Sequence, residues 1–225
     1  MRPVFWFVNT AVKAGTRLMC RIDAPDLHKI PKGGPLIIYA NHTGEIEIPL
    51  VYAHLQPRPV TGVVKVETWN GWFLRWIFDL WGAIPIHRGE ADIEAMRRSL
   101  EVLEKGYILA IAPEGTRSKT GVLLKAHPGI ITLALRSGAP LLPVVHWGGE
   151  NFSRDIKRLK RIDFHIRVGT PFKLELGEER VTRVVRQQMV DEMMYRLAAL
   201  LPEYYRGAYA DLENATERYL ADIQV

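Results

Sequence analysis

Pro35-Leu36-Ile37-Ile38-Tyr39-Ala40-Asn41-His42-Thr43-Gly44-Glu45-Ile46-Glu47 passes from an unbroken apolar run into a polar turn. A short continuous apolar run after the Gly33-Gly34 turn reads as a buried strand. The polar residues that follow set an imidazole, His42, and a carboxylate, Glu47, five positions apart. On a regular helix that separation turns two side chains well away from each other. The pair therefore meets only if the chain curls, with His42 in the turn and Glu47 in the first part of a following helix. Gly44 makes such a curl easier. A buried strand that delivers a turn and then a helix is the building unit of an α/β sheet.

Outward from this unit the pattern repeats. Residues 60–66, 83–86, 107–112, 141–145 and 162–168 read as further strands. Helical spacing runs over residues 4–20, 69–81, 91–105 (closed by Gly106), 130–136 (ending at Gly138), 178–200 and 212–223. Strands alternating with helices give the expected fold: α/β, a mixed, largely parallel central sheet flanked by helices, with an N-terminal amphipathic helix. Residues 1–28 form that helical arm, and residues 29–225 form one domain with no internal repeat or clear linker.

The 225 residues are 48% hydrophobic and 24% charged, which describes a globular chain. Thirty Lys plus Arg against 25 Asp plus Glu leave a net charge of +5. That balance suits an anionic substrate or an anionic membrane surface, and nucleic acid is not expected as a partner, because no recognition motif accompanies the charge. The single cysteine, Cys20, allows no internal disulfide and fits a reducing compartment, where it packs as a small hydrophobe. No apolar run reaches the roughly 20 residues that span a bilayer, and the first residues do not read as a cleavable leader.

Two segments bear on membranes. Over residues 4–20, Val4, Phe5, Phe7, Val8, Val12, Leu18 and Met19 are interleaved with Lys13, Arg17 and Arg21. Either this helix packs on the core, or it lies in the interface with its basic side at the headgroups. Over residues 69–81, Trp69, Trp72, Phe73, Trp76, Ile77, Leu80 and Trp81 recur at helical spacing. They form a core or tunnel wall, or a membrane contact of the kind tryptophan favours. A basic cluster, Arg154, Lys157, Arg158, Lys160 and Arg161, is a solvated face or a dock for anionic lipid, coenzyme A phosphates or an acidic carrier protein.

The chemistry gathers in two stretches. Esterifying an alcohol needs a base for the hydroxyl proton, and histidine is matched to neutral pH. A carboxylate on its other ring nitrogen fixes the tautomer and stabilises the imidazolium. His42 supplies the base and Glu47 the carboxylate; Glu45 is a competing partner that the spacing argument disfavours. Downstream, Pro113-Glu114-Gly115-Thr116-Arg117-Ser118 follows another strand, at a sheet end where ligands bind. Gly115 permits close backbone approach, Thr116 offers a hydroxyl and Arg117 a two-pronged cation for phosphate. Arg88 adds a second cation, with Lys65 and Lys125 as weaker candidates. Together the two stretches point to acyl transfer onto a phosphate-bearing alcohol. A lipid-ester or thioester hydrolase would need an activated nucleophile, and no Gly-x-Ser-x-Gly elbow occurs.

Four blocks in order, within residues 36–146, resemble the lysophospholipid and glycerol-phosphate acyltransferases, above all the 1-acyl-sn-glycerol-3-phosphate acyltransferases. Asn41-His42, four residues and Glu47 match the family's Asn-His-x4-Asp. Residues 82–88 resemble its second block, residues 113–118 its Glu-Gly-Thr-Arg-Ser block, and Ala139-Pro140-Leu141-Leu142-Pro143-Val144 its apolar block around a proline. The resemblance implies a glycerol-phosphate acyltransferase-like fold, with residues 29–225 as the catalytic domain. It implies His42 as general base with Glu47 in the aspartate's place, and Arg88, Glu114, Gly115, Thr116 and Arg117 on the acceptor's glycerol phosphate. It implies no metal and no cofactor: a fatty acyl thioester on coenzyme A or acyl carrier protein as donor, and phosphatidic acid as product. It also implies a peripheral membrane protein, here expected on the cytoplasmic face. Two departures, Glu47 for aspartate and His87 for the second block's aspartate, leave room for another lysolipid or glycolipid acceptor, or for a non-catalytic membrane-binding relative.

Overall fold

The computed structural model describes residues 3–44, 46–87 and 92–223. Arg88 and Glu45, both singled out above, lie outside the described residues. The helices are α1 (Pro3–Met19), α2 (Glu47–His54), α3 (Trp72–Leu80), α4 (Ile93–Glu104), α5 (Gly129–Ser137), α6 (Phe152–Ile156) and α7 (Arg183–Ala199). The strands are β1 (Cys20–Asp23), β2 (Leu36–Ala40), β3 (Val60–Lys65), β4 (Ile84–Ile86), β5 (Ile108–Ile111), β6 (Leu141–Trp147), β7 (Ile162–Val168), β8 (Phe172–Leu174) and β9 (Leu220–Asp222).

Among the described residues the strands form one sheet in the order β1-β7-β6-β2-β5-β3-β4, with β8 beside β6 and β9 beside β8. The pairs β1–β7, β6–β2, β2–β5, β5–β3 and β3–β4 are parallel, and β6–β7, β6–β8 and β8–β9 are antiparallel. This is the mixed, largely parallel sheet expected from the sequence. Strand β2 lies at its centre, so it is buried on both faces, which is why its sequence is a continuous apolar run.

Alternation along the strands divides the core in two. Ile37, Tyr39 and Leu109 face α5 and α7, meeting Ile131 and Met193. Ile38, Ile108 and Val144 face α2 and α3, meeting Leu50 and Phe78. Each fully buried Leu, Ile or Phe contributes about 1.5–3 kcal/mol relative to exposure. The helix ends follow local chemistry. Asp92 caps α4 by accepting from the Ala95 amide at 2.8 Å, and Gly138 takes the left-handed conformation (φ 62°) that closes α5.

Helix α1 is apolar on two sides. Phe5, Val12 and Met19 pack on the α2 side of the core, and buried Asn9 accepts from the Trp81 indole at 3.2 Å. Val4, Phe7 and Leu18 point outward at helical spacing, with exposed Ala11 and Ala14 between them. The arm's helix ends at Met19, and the following residues, Cys20–Asp23, are a sheet strand.

Three readings change. Residues 212–223 are not a helix: Leu212–Asn214 is a 3-10 turn and Leu220–Asp222 is β9, because pairing with β8 supplies its hydrogen bonds. The long helix starts at Arg183 rather than 178, where the Thr182 hydroxyl accepts from the Val185 amide. The tryptophan stripe is split by Gly71 between a 3-10 turn (Val66–Asn70) and α3. Phe78 and Trp81 are core, whereas Trp72 is 84% exposed, and Phe73, Leu74 and Trp76 are exposed with it. Among the described residues, no helix is long and apolar enough to cross a membrane.

Candidate active site

Strand β2 ends at Ala40 and hands the chain to a turn, and Glu47 opens α2. The curl brings the Glu47 carboxylate back onto the turn. Its Oε2 accepts from the Gly44 amide at 2.8 Å, the Thr43 amide at 3.2 Å and the Thr43 hydroxyl at 3.3 Å. Its Oε1 is left for His42 Nδ1, to which it is hydrogen-bonded. A carboxylate in the first turn of a helix is also favoured by the helix dipole. Gly44 favours close approach, since a Cβ there would lie 3.3 Å from the Gly149 carbonyl oxygen.

Both groups are shielded, Glu47 being 5% exposed. Burial pushes the Glu47 carboxyl up, but the His146 and His42 imidazoles and the Gly44 amide outweigh it and hold the group below its usual range. With Nδ1–H donated to a carboxylate, His42 keeps its lone pair on Nε2, the tautomer a general base requires.

The second stretch is stitched to the first. The Ser118 amide donates to the His42 carbonyl at 2.7 Å. Glu114 is buried, and its two oxygens accept from the His42 amide at 3.0 Å and the Leu124 amide at 2.8 Å. Burial pushes Glu114 up to about 7, against those amides. Glu114 thus braces the two loops from inside instead of facing a ligand. Gly115, in the left-handed region at φ 66°, lines the cavity described below. Thr116 and Arg117 are exposed on the same turn. Lys65 pairs with Glu67 at 3.3 Å, Lys125 is exposed, and neither lines the cavity.

Two histidines at the site were not singled out from the sequence. His146, at the end of β6, is 2% exposed. Its Nε2–H donates to the Asn41 carbonyl at 2.7 Å and lies 3.6 Å from Glu47 Oε2. The Asn41 side chain answers by bonding both the His146 carbonyl (2.7 Å) and its amide (3.0 Å). His146 therefore fixes the residue just before His42 and adds a donor beside Glu47. Its position after the apolar fourth block, two along from Val144 and so on the same face, was the available signal. His127 stands against Gly115, where a Cβ would come within 3.0 Å of its ring. His87, already noted as a departure, donates its amide to Asp92 Oδ2 at 3.0 Å, and its Nδ1 lies 3.2 Å from the same oxygen.

His42, Glu47 and His146 border a cavity of about 680 Å³, with Gly115, His127 and His87 among its walls and apolar residues making up most of the rest. That volume falls within the roughly 300–1,000 Å³ usual for small-molecule sites.

A family model described as Acyltransferase matches residues 21–147. The chain is 26% identical over 171 residues to a 1-acyl-sn-glycerol-3-phosphate acyltransferase of Borreliella burgdorferi, covering 73% of this chain and 68% of that one. It is 32% identical over 111 residues to a lyso-ornithine lipid O-acyltransferase of Pseudomonas aeruginosa, covering 49% and 42%. Across similar acyltransferases of the first name the chain spans from 36% to 72% of their length. The crystal structure of the 1-acyl-sn-glycerophosphate acyltransferase of Thermotoga maritima superposes with a TM-score of 0.66 at 20% identity, over 88% of this chain and 78% of that one, a likeness of fold.

Proposed function

This chain belongs to the acyltransferase family, and from that premise we propose that it moves a fatty acyl group from a thioester to the free hydroxyl of 1-acyl-sn-glycerol 3-phosphate, giving phosphatidic acid. One observation carries the reading: a His42–Glu47 pair, with His42 Nε2 left as acceptor, on the wall of a largely apolar cavity. His42 Nε2 takes the hydroxyl proton as the acceptor oxygen attacks the thioester carbonyl carbon. The tetrahedral intermediate collapses by breaking the carbon–sulfur bond, and the leaving thiolate takes the proton from the imidazolium. Glu47 stabilises the imidazolium between the two transfers. The turn at Gly115, Thr116 and Arg117 holds the phosphate, with Arg88 as a further cation. Coenzyme A and acyl carrier protein are both thioester carriers of the required kind.

The enzyme works at a membrane, as a peripheral protein on the cytoplasmic face. The outward apolar row of α1 and the exposed aromatics of α3 support this, as tryptophan and cationic side chains suit the interface. Arg161 adds to it, tying the basic loop to the end of α1 through the Arg17 and Cys20 carbonyls (2.8 and 3.0 Å), beside a Leu159 that is 92% exposed.

A second acceptor is favoured by one observation: the chain is 32% identical over 111 residues to the relative that carries the lyso-ornithine lipid name. The test is a transfer assay on purified protein that crosses lysophosphatidic acid, glycerol 3-phosphate and neutral or zwitterionic lysolipids with both donors, measuring free fatty acid alongside. Preferential acylation of lysophosphatidic acid is expected. Preference for another lysolipid moves the assignment to that acceptor, and free fatty acid without acylated product would make the protein a hydrolase.

A further inference from the structure

The cavity beside His42 is lined from both faces of the sheet. In β3 both Gly62 and Val63 line it, and in β5 both Ala110 and Ile111 do. Successive strand residues point to opposite faces, so the lining draws on both faces of the sheet. The two cores confirm the sides: Ile38, Val64 and Tyr52 belong to the α2 face, and Val63, Ile86 and Met96 to the α4 and α5 face. His42 stands beyond the carboxyl end of β2, at the edge between the two faces.

On the α2 side the walls are Ile48, Val51 and Tyr52 over small strand residues. Gly62 lets Tyr52 close on the strand there, since a Cβ would lie 3.2 Å from both the Tyr52 hydroxyl and the Ala110 carbonyl. Tyr52 is held from behind by Trp81, stacked at 4.6 Å. On the other side Met96 and Ser99 of α4 and Leu133 of α5 make the wall.

We propose that the cavity divides into two arms, one on each face of the sheet, that hold two acyl chains at once: the chain being transferred in the α2-side arm and the chain the acceptor already carries in the arm under α4 and α5. This rests on the lysolipid acyltransferase reading above. The assignment of arms follows from the headgroup. The Gly115 turn packs on His127, two residues before α5 begins, so an acceptor held there by its phosphate directs its own chain along α5. The thioester carbonyl must then approach His42 from the α2 side, with its chain between α2 and β3. The sheet keeps the two chains apart, so each arm sets a length preference separately.

Photo-crosslinking on the unmodified protein tests this, using an acyl-coenzyme A and a lysophosphatidic acid that each carry a diazirine near the chain end, with labelled peptides read by mass spectrometry. The donor probe should mark residues 47–64, and the acceptor probe residues 93–104 and 129–137. A second arm of the experiment uses Val51→Trp and Met96→Trp. Val51→Trp should shift donor preference toward short chains by about tenfold in kcat/KM and leave acceptor preference in place, and Met96→Trp should do the reverse. Labelling of one region by both probes, while transfer proceeds, overturns the two-arm assignment, as does a single variant shifting both preferences. Loss of the acyltransferase reading looks different: no acylated lysolipid forms from the unmodified protein with any donor.

Discussion

Replacing Glu47 by Gln separates the charge of the relay from its shape. In the structure Oε2 accepts from two amides and a hydroxyl, while Oε1 faces His42 Nδ1. A glutamine has one acceptor oxygen, and the two fixed amides of Thr43 and Gly44 claim it. Its NH2 group then points at His42 and requires Nδ1 to accept, which moves the ring proton to Nε2, the atom that takes the substrate's proton in the proposed mechanism. The analogous carboxylate-to-amide change in a serine-protease triad costs about 10^4-fold in kcat through the same tautomer error, equivalent to about 5 kcal/mol of barrier. We therefore expect Glu47→Gln to lower kcat by about 10^3- to 10^4-fold with acceptor and donor KM little changed. Glu47→Asp, which keeps the charge one methylene shorter, retains far more activity. The assay is steady-state transfer from acyl-coenzyme A to lysophosphatidic acid, with thermal melting to establish that the variants are folded. A Gln variant within tenfold of the parent would refute the relay.

Glu114→Gln sets an NH2 group against either the His42 or the Leu124 amide, costing about 1–3 kcal/mol and lowering the melting temperature. Because burial holds Glu114 near 7, above the carboxyl's ordinary 4.5, its contribution is full below the unfolded value and fades as pH rises through 7; the parent's advantage over this variant in melts should shrink across that window. His146→Phe keeps the stack on Phe164 but removes the donor to the Asn41 carbonyl, so kcat should fall about tenfold. His146→Gln, which restores a donor, should recover part of it, and equal losses in both variants would argue against a positioning role. Phe7→Glu combined with Trp72→Glu, at 75% and 84% exposed positions, should abolish co-sedimentation with anionic vesicles while the melting temperature holds; unchanged sedimentation would remove the membrane contact.

What could be read from the chain depended on how local the cause was. Strand β2 was legible because burial on both faces demands an unbroken apolar run, and α4 and α5 because Gly106 and Gly138 mark their ends. The His42–Glu47 curl was legible from spacing alone, since five positions exclude simple stacking on one helix. Strand β1 was not: Cys20–Asp23 is short and half polar, and only parallel pairing with β7, far along the chain, makes it a strand. Leu220–Asp222 was read as helix for the same reason, its partner β8 being distant in sequence. His146 went unnoticed because its contact with Asn41 spans 105 positions. Glu114 looked like a ligand-facing residue, and only the two amides it accepts from show that it faces inward.

The account stands on His42 as the proton acceptor. Single-turnover transfer from acyl-coenzyme A to lysophosphatidic acid, comparing the parent with a folded His42→Ala variant on the same vesicles, tests it most directly. Loss of about 10^2- to 10^4-fold in the chemical step, with vesicle binding unchanged, is the predicted result. Transfer by the alanine variant at a rate within a few-fold of the parent would contradict it.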